Sequence, residues 1–99
     1  MLKYIVEQGQ TVSLYLDYSD KDKNPITPDS FEATITEQAT DTKVQTITNY
    51  DVIETGSLKV MIDTQNLNAG RHFINLKASL GNYHEEDVIV LDIQNHEGK

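Results

Sequence analysis

The chain has no cysteine among its 99 residues. That absence removes any disulfide framework and any cysteine-assisted zinc site. Small secreted β-domains often carry a disulfide, so its lack favours folding in a reducing compartment. Long apolar runs are missing too. No segment approaches the ~18 apolar residues that a membrane-spanning helix requires. Residues 1–9 hold no apolar core long enough for a signal peptide. With Met1 at the start, they predict a short gene product or an excised domain. Positive charge is scarce: 8 Lys and Arg face 16 Asp and Glu, for a formal charge of -8. Such a field repels phosphate backbones, so nucleic acid is not expected as a partner. Its plain consequence is solubility. No Gly-rich loop precedes a helix, so there is no phosphate cradle. No Gly-x-Ser-x-Gly elbow presents a nucleophile. The expectation is a protein that is not an enzyme and uses no cofactor or metal.

What is present is alternation. The length predicts a single domain over residues 1–99 with one modest core. Hydrophobic residues make up 37% of the chain, a low share that suits a thin β-sandwich. They are patterned, which argues against disorder. Turn signals recur about every ten residues, as in an all-β sandwich or barrel. After a short apolar start at residues 4–6, Val12, Leu14, Leu16 and Tyr18 share one face of a strand. Thr11, Ser13, Tyr15 and Asp17 share the other. Residues 19–28 form a polar loop that contains both prolines, Pro25 and Pro28. Phe31, Ala33 and Ile35 predict the next inward row. Residues 43–50 have indistinct faces, which predicts an edge strand, and residues 51–56 read as a connection.

Leu58, Val60 and Ile62 then face the core. Residues 64–69 predict a corner with one helical turn, capped by Thr64 and burying Leu67. Gly70 supplies a backbone angle that other residues resist. His72, Ile74, Leu76, Ala78 and Leu80 make another inward row. Gly81-Asn82 is a tight-turn signal into a final strand over residues 83–93, followed by a polar tail.

Candidate chemistry is sparse. His72, His84 and His96 stand at no spacing that zinc sites use. His72 reads as a hydrogen-bonded structural residue, and His84 as part of a solvated hairpin. Asp20-Lys21-Asp22-Lys23-Asn24 resembles the first half of a calcium loop. Pro25 stands where that loop needs Gly, and Phe31 where it needs Glu. A turn rich in Asp and Asn needs no ion. Of the tyrosines, Tyr15 falls on the polar face of its strand and is expected at the surface. In the last strand Val88 and Val90 share one face, and Ile89, Leu91 and Ile93 the other. Apolar residues on both faces predict cover on both sides, by a partner subunit. Tyr15, Ile89, Leu91 and Ile93 are therefore the candidate interface, and a homo-oligomer is one form it could take.

Leu67-Asn68-Ala69-Gly70-Arg71-His72 resembles the corner of an immunoglobulin-type sandwich, which carries Leu-x-x-Gly-x-Tyr there. Here His72 replaces the Tyr, Ile74 replaces the disulfide Cys, and no Trp occupies the third strand. The wider order is more specific. Gln8-Gly9-Gln10-Thr11 leads into an alternating strand, and Asp20 leads through a turn to Pro25-Ile26-Thr27. Gly56-Ser57-Leu58 then leads to Ile62-Asp63-Thr64 and the Leu67 corner. This order is similar to the N-terminal immunoglobulin-like domain of phage baseplate upper proteins and related tail or head accessory modules. The resemblance implies an all-β, immunoglobulin-like β-sandwich of about seven antiparallel strands. It further implies a virion structural module, made in the host cytoplasm, that self-associates and docks on protein partners without catalytic residues. Nucleic acid and membrane are not expected partners. A second reading is a bacterial cell-surface adhesion or carbohydrate-binding module. A third, an acidic mimic of DNA, is opposed by Lys21, Lys23, Lys43, Lys59, Arg71 and Lys77, which interrupt the carboxylates.

Overall fold

Every long alternating stretch of the sequence forms a strand. The computed structural model describes residues 3–95. Its strands are β1 (Lys3–Glu7), β2 (Thr11–Asp17), β3 (Ser30–Glu37), β4 (Thr42–Ile47), β5 (Asp51–Glu54), β6 (Ser57–Asp63), β7 (Gly70–Leu80) and β8 (Tyr83–Gln94). A five-stranded sheet has the order β1-β8-β7-β3-β4, and a three-stranded sheet the order β2-β6-β5. All pairs are antiparallel except β1 with β8, which is parallel.

The core lies between the sheets. Leu14, Leu58, Val60 and Ile62 from the three-stranded sheet are fully buried, as are Ala33, Ile35, Ile74 and Leu91 from the other. Burying each large aliphatic side chain contributes about 1.5–3 kcal/mol. The inward rows of β2, β3, β6 and β7 are those that alternation predicts. β4 is an edge strand, as its indistinct faces predict.

There are eight strands among the described residues, and the addition is β5. All of its residues are exposed, so no inward row marks it in the sequence. The corner differs as well. It holds one turn, closed by the Leu67 N–H donating to the Thr64 carbonyl at 3.1 Å, and no helix. Leu67 is buried as expected. Thr64 acts over a longer range: its hydroxyl accepts from the Gly9 N–H at 2.9 Å and donates to the Gln10 carbonyl at 2.7 Å. It thereby clasps the β1–β2 turn. Gly70 takes the expected backbone angle, φ 123°.

β8 corrects a further expectation. Ile89, Leu91 and Ile93 point into the core, because β8 lies between β1 and β7. On its other face Val90 is flanked by Lys3 and Phe73 of the neighbouring strands. Cross-strand neighbours within one sheet bury Val90, whereas Val88 on the same face is 38% exposed. These three residues are therefore not a surface that a partner can reach.

His72 is fully buried, with Nδ1 3.2 Å from the Gly70 carbonyl oxygen. Its Nε2 meets no partner among the described residues. The structural role expected for it is thus only half satisfied by hydrogen bonds. In the polar loop, Asp20 Oδ1 accepts from the Asp22 and Asn24 N–H groups at 2.8 and 3.0 Å. The carboxylate thus folds the loop on its own backbone, as an Asx turn does. His96 lies outside the described residues.

Candidate functional site

The outer face of the three-stranded sheet is built by the polar rows of β2 and β6. Period-two alternation sends Ser13, Tyr15 and Asp17 outward from β2, and Lys59, Met61 and Asp63 outward from β6. Register sets Tyr15 beside Lys59, Lys59 beside Asp51, and Ser13 beside Met61. Tyr15 is 64% exposed and Met61 46%. Two large apolar side chains thus stand on an open face, where hydration opposes them. The Lys59 ammonium lies 5.9 Å from the Tyr15 ring centroid, over its negative face. The Ser13 hydroxyl donates to Met61 Sδ at 3.1 Å.

Carboxylates surround this pair. Asp17 accepts from the Ser57 hydroxyl at 2.7 Å, and Asp63 accepts from the Gln65 N–H at 2.9 Å. Asp51 stands at the β5 end of the row. Beside the face runs a groove of about 660 Å³, walled by residues 45–51 on one side and by Lys59, Met61 and Asp63 on the other. It opens because β5 pairs with β6 only as far as Lys59.

Ionisable groups elsewhere serve structure. Burial first, and then the Glu85 and Asp87 carboxylates, push the Tyr18 phenol up to about 12. Tyr83 donates to the Glu85 carboxylate, which pushes its phenol up to about 12 as well. Both hydroxyls stay protonated at neutral pH. The Asn68 amide and the Thr40 hydroxyl hold the Glu37 carboxyl below its usual range. Bonds from the loop backbone, led by the Asn24 N–H, do the same for Asp20. Among the described residues, no group of three or more His, Cys, Asp or Glu could hold a metal ion.

The structure places Tyr15 on this open face and Ile89, Leu91 and Ile93 in the core, so it does not bring the four candidates together. Met61, Lys59 and Asp51 join Tyr15 instead. One signal of this was visible: Met61 is an apolar residue in the outward row of β6, between Lys59 and Asp63. Asp51 could not be placed without β5.

No protein-family model matches the chain, and no curated protein does. Among solved structures, it is similar to part of the endo-β-1,4-mannanase from Thermotoga petrophila. The TM-score is 0.68 at 15% identity, over 93% of this chain and 18% of that one, so the chain spans less than a fifth of the mannanase. It is similar to CopC from Methylosinus trichosporium OB3b, with TM-score 0.68 and 15% identity over 100% of this chain and 90% of that one. The second Ig domain of the mouse polymeric immunoglobulin receptor matches with TM-score 0.43 at 13% identity, over 95% and 94% of the two chains. At 15% identity the likeness to the mannanase segment and to CopC is one of fold. The strand order identifies that fold: β2-β6-β5 follows the B-E-D order of immunoglobulin domains, and β3-β7-β8 the C-F-G order. The chain is an immunoglobulin-like β-sandwich.

Proposed function

We propose that the domain is a non-catalytic docking module, and that it binds a protein partner through the outer face of β2-β6-β5. The observation that carries this reading is the exposed pair Tyr15 and Met61 at the centre of that face. Tyrosine and methionine are enriched at the centres of protein interfaces, where they exclude water. Asp17, Asp51 and Asp63 supply a polar rim. The assembly we assign the domain to is a phage or prophage virion. Support for that part is the order of motifs from Gln8 to Gly70, which resembles that of baseplate upper proteins.

Site-directed photo-crosslinking tests the reading in the producing cell. A photoreactive phenylalanine at position 15 is expected to trap one virion protein, and excess unlabelled domain to compete the adduct away. The same probe at exposed Lys77, on the other sheet, is expected to trap none. Equal adducts at both positions, or retention of the domain on cell-wall polysaccharide with no protein adduct, contradicts it.

A further inference from the structure

The three-stranded sheet is incomplete on one side. β5 pairs with β6 through Asp51 opposite Lys59, Val52 opposite Leu58 and Glu54 opposite Ser57. Beyond Lys59, β6 continues to Asp63, and among the described residues no strand pairs with its edge there. Just before Asp51 the chain crosses from β4, in the other sheet. β4 is itself the last strand of its sheet, so among the described residues its outer edge is also unpaired. The 660 Å³ groove lies between these two edges. An open strand edge presents a row of backbone donors and acceptors, which is a template for another strand.

We propose that this groove takes one extended segment of a partner protein, added antiparallel to β6 along residues 60–63 as a continuation of β5. Resting on the docking reading above, this names what the partner inserts. Main-chain hydrogen bonds would supply affinity, and alternate side chains the specificity. Alternation sets those side chains. Positions opposite Val60 and Ile62 point inward, toward half-buried Ile47 and Tyr50, and suit small or branched apolar residues that fit beside the Tyr50 ring. Positions opposite Met61 and Asp63 point outward, beside Asp51. They suit lysine or arginine, whose methylene stem can lie on the Met61 thioether while its charge meets the aspartates.

Charge complementarity favours this occupant over a second copy of the chain. Asp17, Asp51 and Asp63 outnumber Lys59 on this face, and another copy brings a formal charge of -8. Like charges brought together at an interface disfavour the pairing.

The probe is a seven-residue peptide of alternating lysine and valine, capped at both ends and titrated into the isotope-labelled domain by NMR. Amide shifts are expected at residues 45–51 and 59–63. An analogue N-methylated at alternate residues keeps the charge and loses strand pairing, and is expected to bind at least about tenfold more weakly. The Asp51→Asn, Asp63→Asn double variant is expected to bind the parent peptide about fivefold to tenfold more weakly. Lys77→Ser, at an exposed position on the other sheet, is expected to leave peptide binding unchanged. Equal affinity for the N-methylated peptide overturns the inference, since charge alone would then explain binding. Shifts spread over the whole surface, or tighter binding of a mannose oligomer at the groove, overturn it too. If the peptide fails while the position-15 crosslink persists, strand addition falls and the docking face stands.

Discussion

At Gly56 an added β-carbon would lie 2.8 Å from Pro25 Cβ and 2.9 Å from the Tyr18 carbonyl oxygen. The residue also sits at φ 85°, where other residues are strained. Its own backbone ties the loop down: the N–H donates to Thr27 Oγ1 at 3.0 Å, and the carbonyl accepts from the Tyr18 N–H at 2.8 Å. The Tyr18 backbone is held on both sides, by its bond to the Gly56 carbonyl and by the Ile26 N–H, which donates to the Tyr18 carbonyl at 3.1 Å, and Pro25 is bridged to Ser19. Gly56→Ala is expected to cost about 2–4 kcal/mol, the strain and the clash adding together. Gly81 makes the contrast. It has φ 60° and open space around it, so Gly81→Asn is expected to cost less than about 1 kcal/mol. Urea unfolding of both variants checks this, and equal losses would refute the steric account. His72 is the opposite case, a polar side chain whose burial is only partly offset. Its Nε2, without a partner among the described residues, costs about 1–3 kcal/mol in the native state. His72→Leu should therefore unfold at the same urea concentration as the parent or higher. A loss beyond about 2 kcal/mol would mean that Nε2 has a partner or that the Nδ1 bond to the Gly70 carbonyl outweighs the cost of burying the ring.

Between elements, Thr64 couples the corner to the β1–β2 turn through bonds that span more than fifty positions. Thr64→Val keeps the shape and removes both hydroxyl bonds. The expected cost is about 1–3 kcal/mol, with faster amide exchange at Gly9. Unchanged exchange at Gly9 would show that the clasp is not what orders the turn. Strand alternation, by contrast, is legible in the sequence. The rows Val12–Leu14, Phe31–Ala33–Ile35, Leu58–Val60–Ile62 and Ile74–Leu76–Ala78 show their inward faces through period-two patterning. The Leu67 corner and the Gly81-Asn82 turn are local signals, and both are present. β5 was not legible, because Asp51, Val52, Ile53 and Glu54 are all exposed. Nor was the burial of Ile89, Leu91 and Ile93 inside one subunit. Apolar residues on both faces of β8 do not say whether a neighbouring strand or another chain covers them. For the candidate site, Tyr15 was legible from its place in the polar row. Its neighbours Lys59 and Asp51 depend on register, which only pairing sets.

For the molecule as a whole, alkaline stability reports the end of the core near Tyr18. Its folded pKa is raised, from 10.0 to about 12, mainly by burial. The stability linked to it is therefore complete below pH 10 and is lost as pH rises through about 12. That loss is at most about 2–3 kcal/mol, reduced by solvent screening; Tyr18→Phe should escape it, while any loss linked to Tyr83, whose phenol is also raised to about 12, should remain in both proteins. Urea midpoints at pH 9 and pH 11.5 read the difference. Equal losses in parent and variant would mean that Tyr18 is not the linked group.

Exposed apolar side chains occur on both sheets, Ile5 and Val88 on the five-stranded one, and on the three-stranded sheet Tyr15 and Met61 stand bare on the outer face among carboxylates. We propose that docking runs through that pair. The most direct test is the affinity of the partner trapped from position 15, measured for the parent and for the Tyr15→Ser, Met61→Ser double variant. Both side chains point away from the core, so the melting temperature should hold. If these are the anchors, affinity falls about a hundredfold or more. Affinity within twofold of the parent, in a variant that melts like the parent, would contradict the account.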